Sequence, residues 1–249
     1  MNTAQTNPSP DILAHNTSCI NRRIECGLNM LGQHCSVTER AVDPVLANPV
    51  IGGRPHHARC FDIEGIGNLL AMTVTEADNA QLSSFVITPY AKNLPLLSTD
   101  YVYSGENRFF LIEVYDLAVN HDEAYQQGIQ TLEKVGLGWN DMADFPVQPC
   151  WYDSIRPVYH AKAYSPEQDE LAIERFLEAL QTFVDFAQTM PALTGSDLQK
   201  KWQLNRDYAD RLIDEGGVST DLFTQAIGAE NTRRFFHEVF FGPSWYRAE

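Results

Sequence analysis

Residues 97–116 read LSTDYVYSGENRFFLIEVYD, two β-type runs joined by the turn-forming residues Ser104-Gly105-Glu106-Asn107. A short glycine-containing link between two runs of aromatic and β-branched residues is typical of a β-hairpin. If these four residues form the turn, Asp100 lies opposite Leu111 and Val102 lies opposite Phe109. The stretch therefore predicts two neighbouring antiparallel strands with a defined register.

Both faces of this predicted hairpin are apolar apart from one carboxylate. Asp100 and Val102 lie on one face, and the other face carries Tyr101, Tyr103, Phe110 and Ile112. Half-exposed antiparallel strands alternate polar and apolar residues, so we expect both faces to be covered. Asp100 is then a carboxyl group in poor solvent, and its pKa should rise enough to let it donate a proton near neutral pH. The pattern alone also allows a turn cap or a buried ion pair.

Further strands and helices extend the pattern on both sides of the hairpin. The other β-type runs are HARCFDIE at 57–64, NLLAMTVTE at 68–76, LSSFVITPY at 82–90 and VYHAKAY at 158–164. Short links between consecutive runs predict an antiparallel meander, because parallel strands need long crossovers. Helical patterns occur at 17–42, 122–136, 166–189, 196–214, 219–228 and 230–240.

These patterns together predict an α+β fold. We expect a three-layer α/β/α sandwich in which a central antiparallel sheet is flanked by helices. Residues 1–16 are polar and contain prolines, so we expect a flexible N-terminal tail there and a single domain over residues 17–249.

The composition excludes several classes of function. The formal net charge of −15 argues against nucleic-acid binding, which needs a basic surface, and against an anionic membrane. The sequence has no run of about 18 apolar residues that would predict a transmembrane helix. The polar N-terminus lacks the features of a secretory signal, so we expect a cytoplasmic protein. The five cysteines include no C-x-x-C pair, so no metal site is predicted.

Two motifs resemble the ferredoxin-dependent bilin reductases. The run Pro89-Tyr90-Ala91-Lys92-Asn93-Leu94-Pro95 leads to Asp100 five residues after its second proline, the spacing at which that family carries its central aspartate. Near the end of the chain, Ala226-Ile227-Gly228 followed by TRRFFHEVFF at 232–241 is similar to the family's closing helices. The resemblance covers roughly residues 55 to 242.

The resemblance implies a fold and a reaction. Members of the family bind a linear tetrapyrrole between the central sheet and the C-terminal helices, with no flavin or metal of their own. Ferredoxin, a 2Fe-2S protein, supplies single electrons, and side chains supply protons to the radical intermediates. The substrate is itself the electron sink, so the protein needs proton donors, an apolar slot and cations for the propionates. The resemblance thus implies an oxidoreductase of phycobilin biosynthesis that acts on biliverdin or a related bilin, with Asp100 as its main proton donor.

The resemblance also suggests other site residues. Glu76 matches a second acid of some members, Asp214 matches a C-terminal acid after a shift of one to three residues, and Ser84 stands where some members have a histidine. The expected substrate contacts are Ser84, Lys162, His160, Arg156 and Tyr101. Ferredoxins are acidic, so a positive docking face is expected. Its candidates are Lys200, Lys201, Arg206 and Arg233.

Three other interpretations remain open at this point. A relative of red chlorophyll catabolite reductase would use the same fold and electron donor on an open-chain chlorophyll breakdown product. A tetrapyrrole-binding protein would have kept the slot without the chemistry. An unrelated antiparallel α+β domain would resemble the family by chance. Within the ferredoxin-dependent bilin reductases, small differences in the geometry of the binding slot decide which double bond is reduced.

Overall fold

A meander of antiparallel strands forms the centre of this computed structural model, which describes residues 9–77, 80–146, 148–216 and 220–247. The strands are β1 (Val37–Arg40), β2 (Val50–Ile51), β3 (Arg54–Pro55), β4 (His57–Ile63), β5 (Gly67–Val74), β6 (Gln81–Pro89), β7 (Leu96–Ser104), β8 (Asn107–Tyr115), β9 (Ala143–Asp144) and β10 (Val158–Tyr164). Eight of them form one sheet in the order β1-β4-β5-β6-β7-β8-β10-β9, and β2 and β3 form a separate pair.

The hairpin register agrees with the prediction from residues 97–116. Asp100 is paired with Leu111, and Val102 is paired with Phe109. The next strand within the sheet, β10, lies antiparallel to β8 and extends the sheet beyond the hairpin. The central sheet is therefore antiparallel, as predicted.

Helices cover both faces of the sheet. They are α1 (Pro10–His34), α2 (Pro44–Ala47), α3 (Glu123–Leu137), α4 (Asp169–Thr189), α5 (Gly195–Glu215) and α6 (Thr220–Arg234). One buried cluster joins α1, α3 and α4 to one face of the sheet and includes Tyr101 and Phe176. A second cluster joins the C-terminal helices to the other face and includes Val86 and Tyr208. This arrangement is the predicted three-layer α/β/α sandwich.

The first helix differs from the prediction at both ends. It begins at Pro10 rather than at residue 17, because the Ser9 side chain accepts a hydrogen bond from the Ile12 backbone and proline fits the first helical turn. Residues 10–16 of the expected tail are therefore helical, and residues 1–8 lie outside the described residues. The helix ends at His34, and residues 37–40 form strand β1 against β4.

The C-terminal helices are separated as predicted. Gly228 has a φ of 81°, a conformation that interrupts α6 near the predicted boundary between residues 219–228 and 230–240. The chain then continues into a wider π-type turn over Phe235–Phe240. Within the described ranges, every helix is too short or too polar to cross a membrane.

We expect Gly128→Ala to destabilise the protein by about 1–3 kcal/mol, the usual cost of overpacking a core. A Cβ at Gly128 of α3 would lie 2.3 Å from the ring of Phe186 in α4. The matched control is Gly32→Ala in α1, where a Cβ meets nothing within 4 Å. Urea denaturation should show Gly32→Ala unchanged or up to about 1 kcal/mol more stable. Equal effects of the two substitutions would contradict the close packing of α3 on α4.

Candidate functional site

The sheet face beneath α5 and α6 carries Asp100 within three rows of side chains that cross four strands. The rows are Leu82, Val102, Phe109 and Ala163, then Ser84, Asp100, Leu111 and Ala161, then Val86, Ser98, Glu113 and Tyr159. Every side chain of the first row is partly exposed, whereas three of the four in the third row are buried. Asp100 therefore lies where an open apolar surface meets the covered part of the sheet.

Two serine hydroxyls hold the Asp100 carboxylate. Ser84 Oγ donates to Oδ1 at 2.5 Å, and Ser98 Oγ donates to Oδ2 at 3.1 Å. Although Asp100 is partly exposed, the sheet and the covering layers surround it, and this burial raises its pKa. The two hydroxyls and the guanidinium of Arg23 oppose the rise because they stabilise the ionised form. Asp100 thus has the environment that the sequence predicted.

A second acid on the same face, Glu113, was missed by the sequence analysis. It lies two residues from Leu111, the partner of Asp100, and its side chain is buried. Burial and the nearby charge of Asp100 raise the pKa of Glu113 to about 7, while Arg156 opposes the rise. A signal was present in the sequence, because Glu113 is the single charged residue within FFLIEVY and shares the face of Asp100.

Arg156 is the predicted substrate-binding cation that lies beside this site. It forms ion pairs with Glu113 and, at 2.5 Å, with Asp153. Its guanidinium stacks over the ring of Tyr159 at 4.0 Å from the ring centre. The Arg156 charge is therefore held beside the Asp100 face by two carboxylates and an aromatic ring.

Three of the predicted substrate contacts lie on the opposite face of the sheet from Asp100. Lys162 pairs with Asp144 at 2.7 Å, and the ring of His160 packs 5.4 Å from that of Trp139. The Tyr101 hydroxyl donates to the Ala172 carbonyl of α4. His160 and Lys162 share a face as expected, but the pairing of β10 with β8 makes it the face of Phe110 and Ile112. None of the three can touch a ligand that contacts Asp100 from the other side.

The other two predicted acids are solvated and lie apart from Asp100. The Glu76 side chain is 72% exposed, with His57 Nε2 at 3.9 Å. The Asp214 side chain is 66% exposed and accepts a hydrogen bond from Arg233 at 3.1 Å. Both are exposed to solvent, whereas Glu113 is the buried acid that shares the sheet face of Asp100.

Lys201 was predicted as part of a docking surface, but it is fully buried. Its Nζ donates to the backbone carbonyls of Leu94 at 2.5 Å and Leu117 at 2.7 Å, and burial lowers its pKa to about 7. Four residues further along α5, Asn205 donates to the Pro89 carbonyl at 2.7 Å. Lys201 and Asn205 therefore fasten α5 to the sheet and are not available to a partner.

The remaining docking candidates are exposed but mostly neutralised by acids. Arg233 pairs with Asp210 and Asp214, and Arg206 also lies 3.5 Å from Asp210. Lys200 is exposed and donates to the Val119 carbonyl at 2.7 Å. The surface of α5 and α6 is therefore mixed in charge rather than strongly positive.

Two surface cavities formed by the described residues lie away from Asp100. One has a volume of about 20 Å³ and lies beside Arg40 and Trp245. The other is an open cleft of about 310 Å³ between Arg40 and Ala47. Both border Arg40 of β1, at the edge of the sheet. Neither cavity is lined by a residue of the three rows around Asp100.

A solved structure shares this fold. Phytochromobilin synthase from tomato, crystallised in complex with biliverdin, superposes with a TM-score of 0.71 over 92% of this chain and 85% of that chain. The sequence identity is 13%, so the likeness establishes the fold alone. No family model matches the chain, and no curated protein matches it.

We expect Asp100→Asn to stabilise the fold at neutral pH. Because the native pKa of Asp100 is raised, the native state holds this proton when the unfolded state has lost it, and wild-type stability falls as pH rises from the ordinary value of 3.8 through the native value. Urea denaturation should therefore show the variant gaining over wild type as pH rises above about 4. The matched control, Asp214→Asn, removes a carboxylate of the same kind that is 66% exposed rather than buried. A constant difference for Asp100→Asn would contradict the raised pKa.

Proposed function

We propose that this protein reduces a linear tetrapyrrole, biliverdin or a related bilin, with electrons from reduced ferredoxin and protons from its own side chains. The observation that carries the proposal is the pair of acids with raised pKa values, Asp100 and Glu113, beside a partly open apolar surface. The fold supports it, because a protein with the same fold was crystallised with biliverdin.

The proposed chemistry needs acids rather than a resident cofactor. Reduction of one bilin double bond takes up two electrons and two protons, and the conjugated bilin accepts the electrons itself. Asp100 gives the first proton because it is the acid nearest the open row. Glu113 lies directly across from Ser98, whose hydroxyl bonds Asp100, so it is placed to deliver the second. Their raised pKa values keep them protonated closer to neutral pH than ordinary carboxyl groups.

The proposed binding mode follows from the polarity of the three rows. The apolar side chains around Val102 and Phe109 form a floor for the flat rings of a tetrapyrrole. Arg156 is the cation for a propionate, which would share it with Glu113 and Asp153. Ferredoxin then meets the exposed cations Lys200 and Arg206 of α5, while the charge of Arg233 is already balanced by Asp210 and Asp214.

We expect Asp100→Asn to bind biliverdin nearly as well as wild type but to reduce it about 10²–10⁴-fold more slowly, the usual contribution of a positioned acid. Visible spectra would follow the bilin first alone and then with ferredoxin, its reductase and NADPH. The matched control is Asp214→Asn, an exposed acid that should leave turnover unchanged. Full activity of Asp100→Asn would rule out its role as proton donor.

The same spectra separate the other interpretations. A wild-type protein that does not perturb biliverdin at micromolar concentration would contradict the whole proposal. Binding without turnover would instead favour a tetrapyrrole-binding protein. Turnover of an open-chain chlorophyll breakdown product in preference to biliverdin would favour the relative of red chlorophyll catabolite reductase.

We expect the bilin-reduction rate of the wild type to fall as pH rises past about 7, where Glu113 loses its proton. Glu113→Gln should be slower and should lack this falling limb, because glutamine does not titrate. The measurement is kcat against pH at saturating ferredoxin. Arg156→Gln is the informative companion: it removes the cation that lowers the pKa of Glu113, so it should move the limb to higher pH. An unchanged limb in Glu113→Gln would assign it to another group.

A further inference from the structure

Three side chains that can each bind a metal converge between α1 and α4. His15 and Cys19 are one helical turn apart on α1, and Asp169 is the first residue of α4. His15 Nε2 lies 2.8 Å from Asp169 Oδ2 and 3.6 Å from Cys19 Sγ. All three ligand atoms lie within 4.8 Å of one another. A single ring nitrogen therefore faces both a thiol and a carboxylate.

The two separations from the His15 nitrogen can be compared with those of a tetrahedral zinc site. Zinc bonds of about 2.0 Å to nitrogen and oxygen and about 2.3 Å to sulfur place a nitrogen and a sulfur ligand about 3.6 Å apart, and a nitrogen and an oxygen ligand about 3.3 Å apart. The observed nitrogen–sulfur distance already has this value. The nitrogen–oxygen pair, at 2.8 Å, needs to widen by about half an ångström to admit the ion.

The surroundings hold one ligand in place and leave access for an ion. Arg108 Nε donates to Asp169 Oδ1 at 2.8 Å, so the carboxylate is oriented with Oδ2 directed at the two α1 side chains. Such a second contact to a ligating group is common in metal sites. Cys19 is only 4% exposed, whereas the His15 side chain is 50% exposed and opens the cluster to solvent.

We propose that His15, Cys19 and Asp169 bind a divalent transition-metal ion of the zinc class, with water as the fourth ligand. The spacing of the cysteines does not predict this site, because Asp169 is 150 residues away from Cys19 in the sequence. The ion links the first half of α1 to the start of α4. The site lies on the sheet face away from Asp100, so it does not depend on the proposed bilin reaction.

The test is a titration of the full-length, reduced protein with Co²⁺, followed by displacement with Zn²⁺. A thiolate bound to Co²⁺ gives a near-ultraviolet charge-transfer band, and four-coordinate Co²⁺ gives strong visible bands. We expect one equivalent of Co²⁺ to bind with both signatures and Zn²⁺ to remove them. Cys19→Ser should lose the charge-transfer band, and His15→Ala should weaken binding at least tenfold. Zinc should also raise the thermal unfolding temperature of the wild type, because it binds the native state.

Cys26→Ser is the matched control, since Cys26 is a partly buried thiol on the same helix outside the cluster. It should bind Co²⁺ with the wild-type spectrum. Far-ultraviolet circular dichroism would show that each variant is folded, and His15→Ala changes a half-exposed side chain, so it leaves the core intact. Any one of three outcomes would overturn the proposal and leave a hydrogen-bonded cluster only. These outcomes are a charge-transfer band that survives in Cys19→Ser, Co²⁺ binding by His15→Ala that equals that of the wild type, and a wild-type affinity for Co²⁺ no tighter than millimolar.

Discussion

The alternation of side chains along a sheet covered on both faces is the constraint on which the site depends. Each step of one residue along β7 moves a side chain from one helical layer to the other. Asp100 therefore faces α5 and α6, while Tyr101 faces α4 and bonds the Ala172 carbonyl. Because directly paired residues share a face, the same alternation places Glu113 with Asp100 and places Lys162 away from it. The register of three strands thus decides which groups can act together.

The helical layers that cover the sheet change the acidity of the carboxyl groups on it. A carboxylate on an exposed sheet would have an ordinary pKa, but Asp100 and Glu113 share a face from which much of the water is excluded. The charge of Asp100 further raises the pKa of Glu113. The hydroxyl groups of Ser84 and Ser98 limit the rise in the pKa of Asp100, and the guanidinium of Arg156 limits the rise in the pKa of Glu113. Two acids of one sheet face therefore have different environments and can have different roles.

Local sequence patterns predicted the parts of this structure that depend on neighbours in the chain. The β7–β8 hairpin follows from its turn residues, and the burial of Asp100 follows from apolar residues on both faces. Glu113 could have been found in the same way, by counting two residues from Leu111. The side of the sheet taken by Lys162 could not, because it depends on how β10 pairs with β8 across a long intervening segment. The burial of Lys201 likewise depends on two carbonyl groups more than 80 residues away.

The fastening of α5 has a consequence for how a molecule reaches the acids. Lys201 and Asn205 tie this helix to the carbonyls of Pro89, Leu94 and Leu117, all at the end of the strands remote from the β7–β8 turn. The exposed row lies at the opposite end, towards that turn. The helical layer is therefore fastened to the sheet at one end of the strands and leaves the sheet partly exposed at the other end. In the proposed bilin reaction, a flat molecule that enters from the turn meets Asp100 before Glu113, so the direction of entry fixes which edge of the molecule meets the acids first.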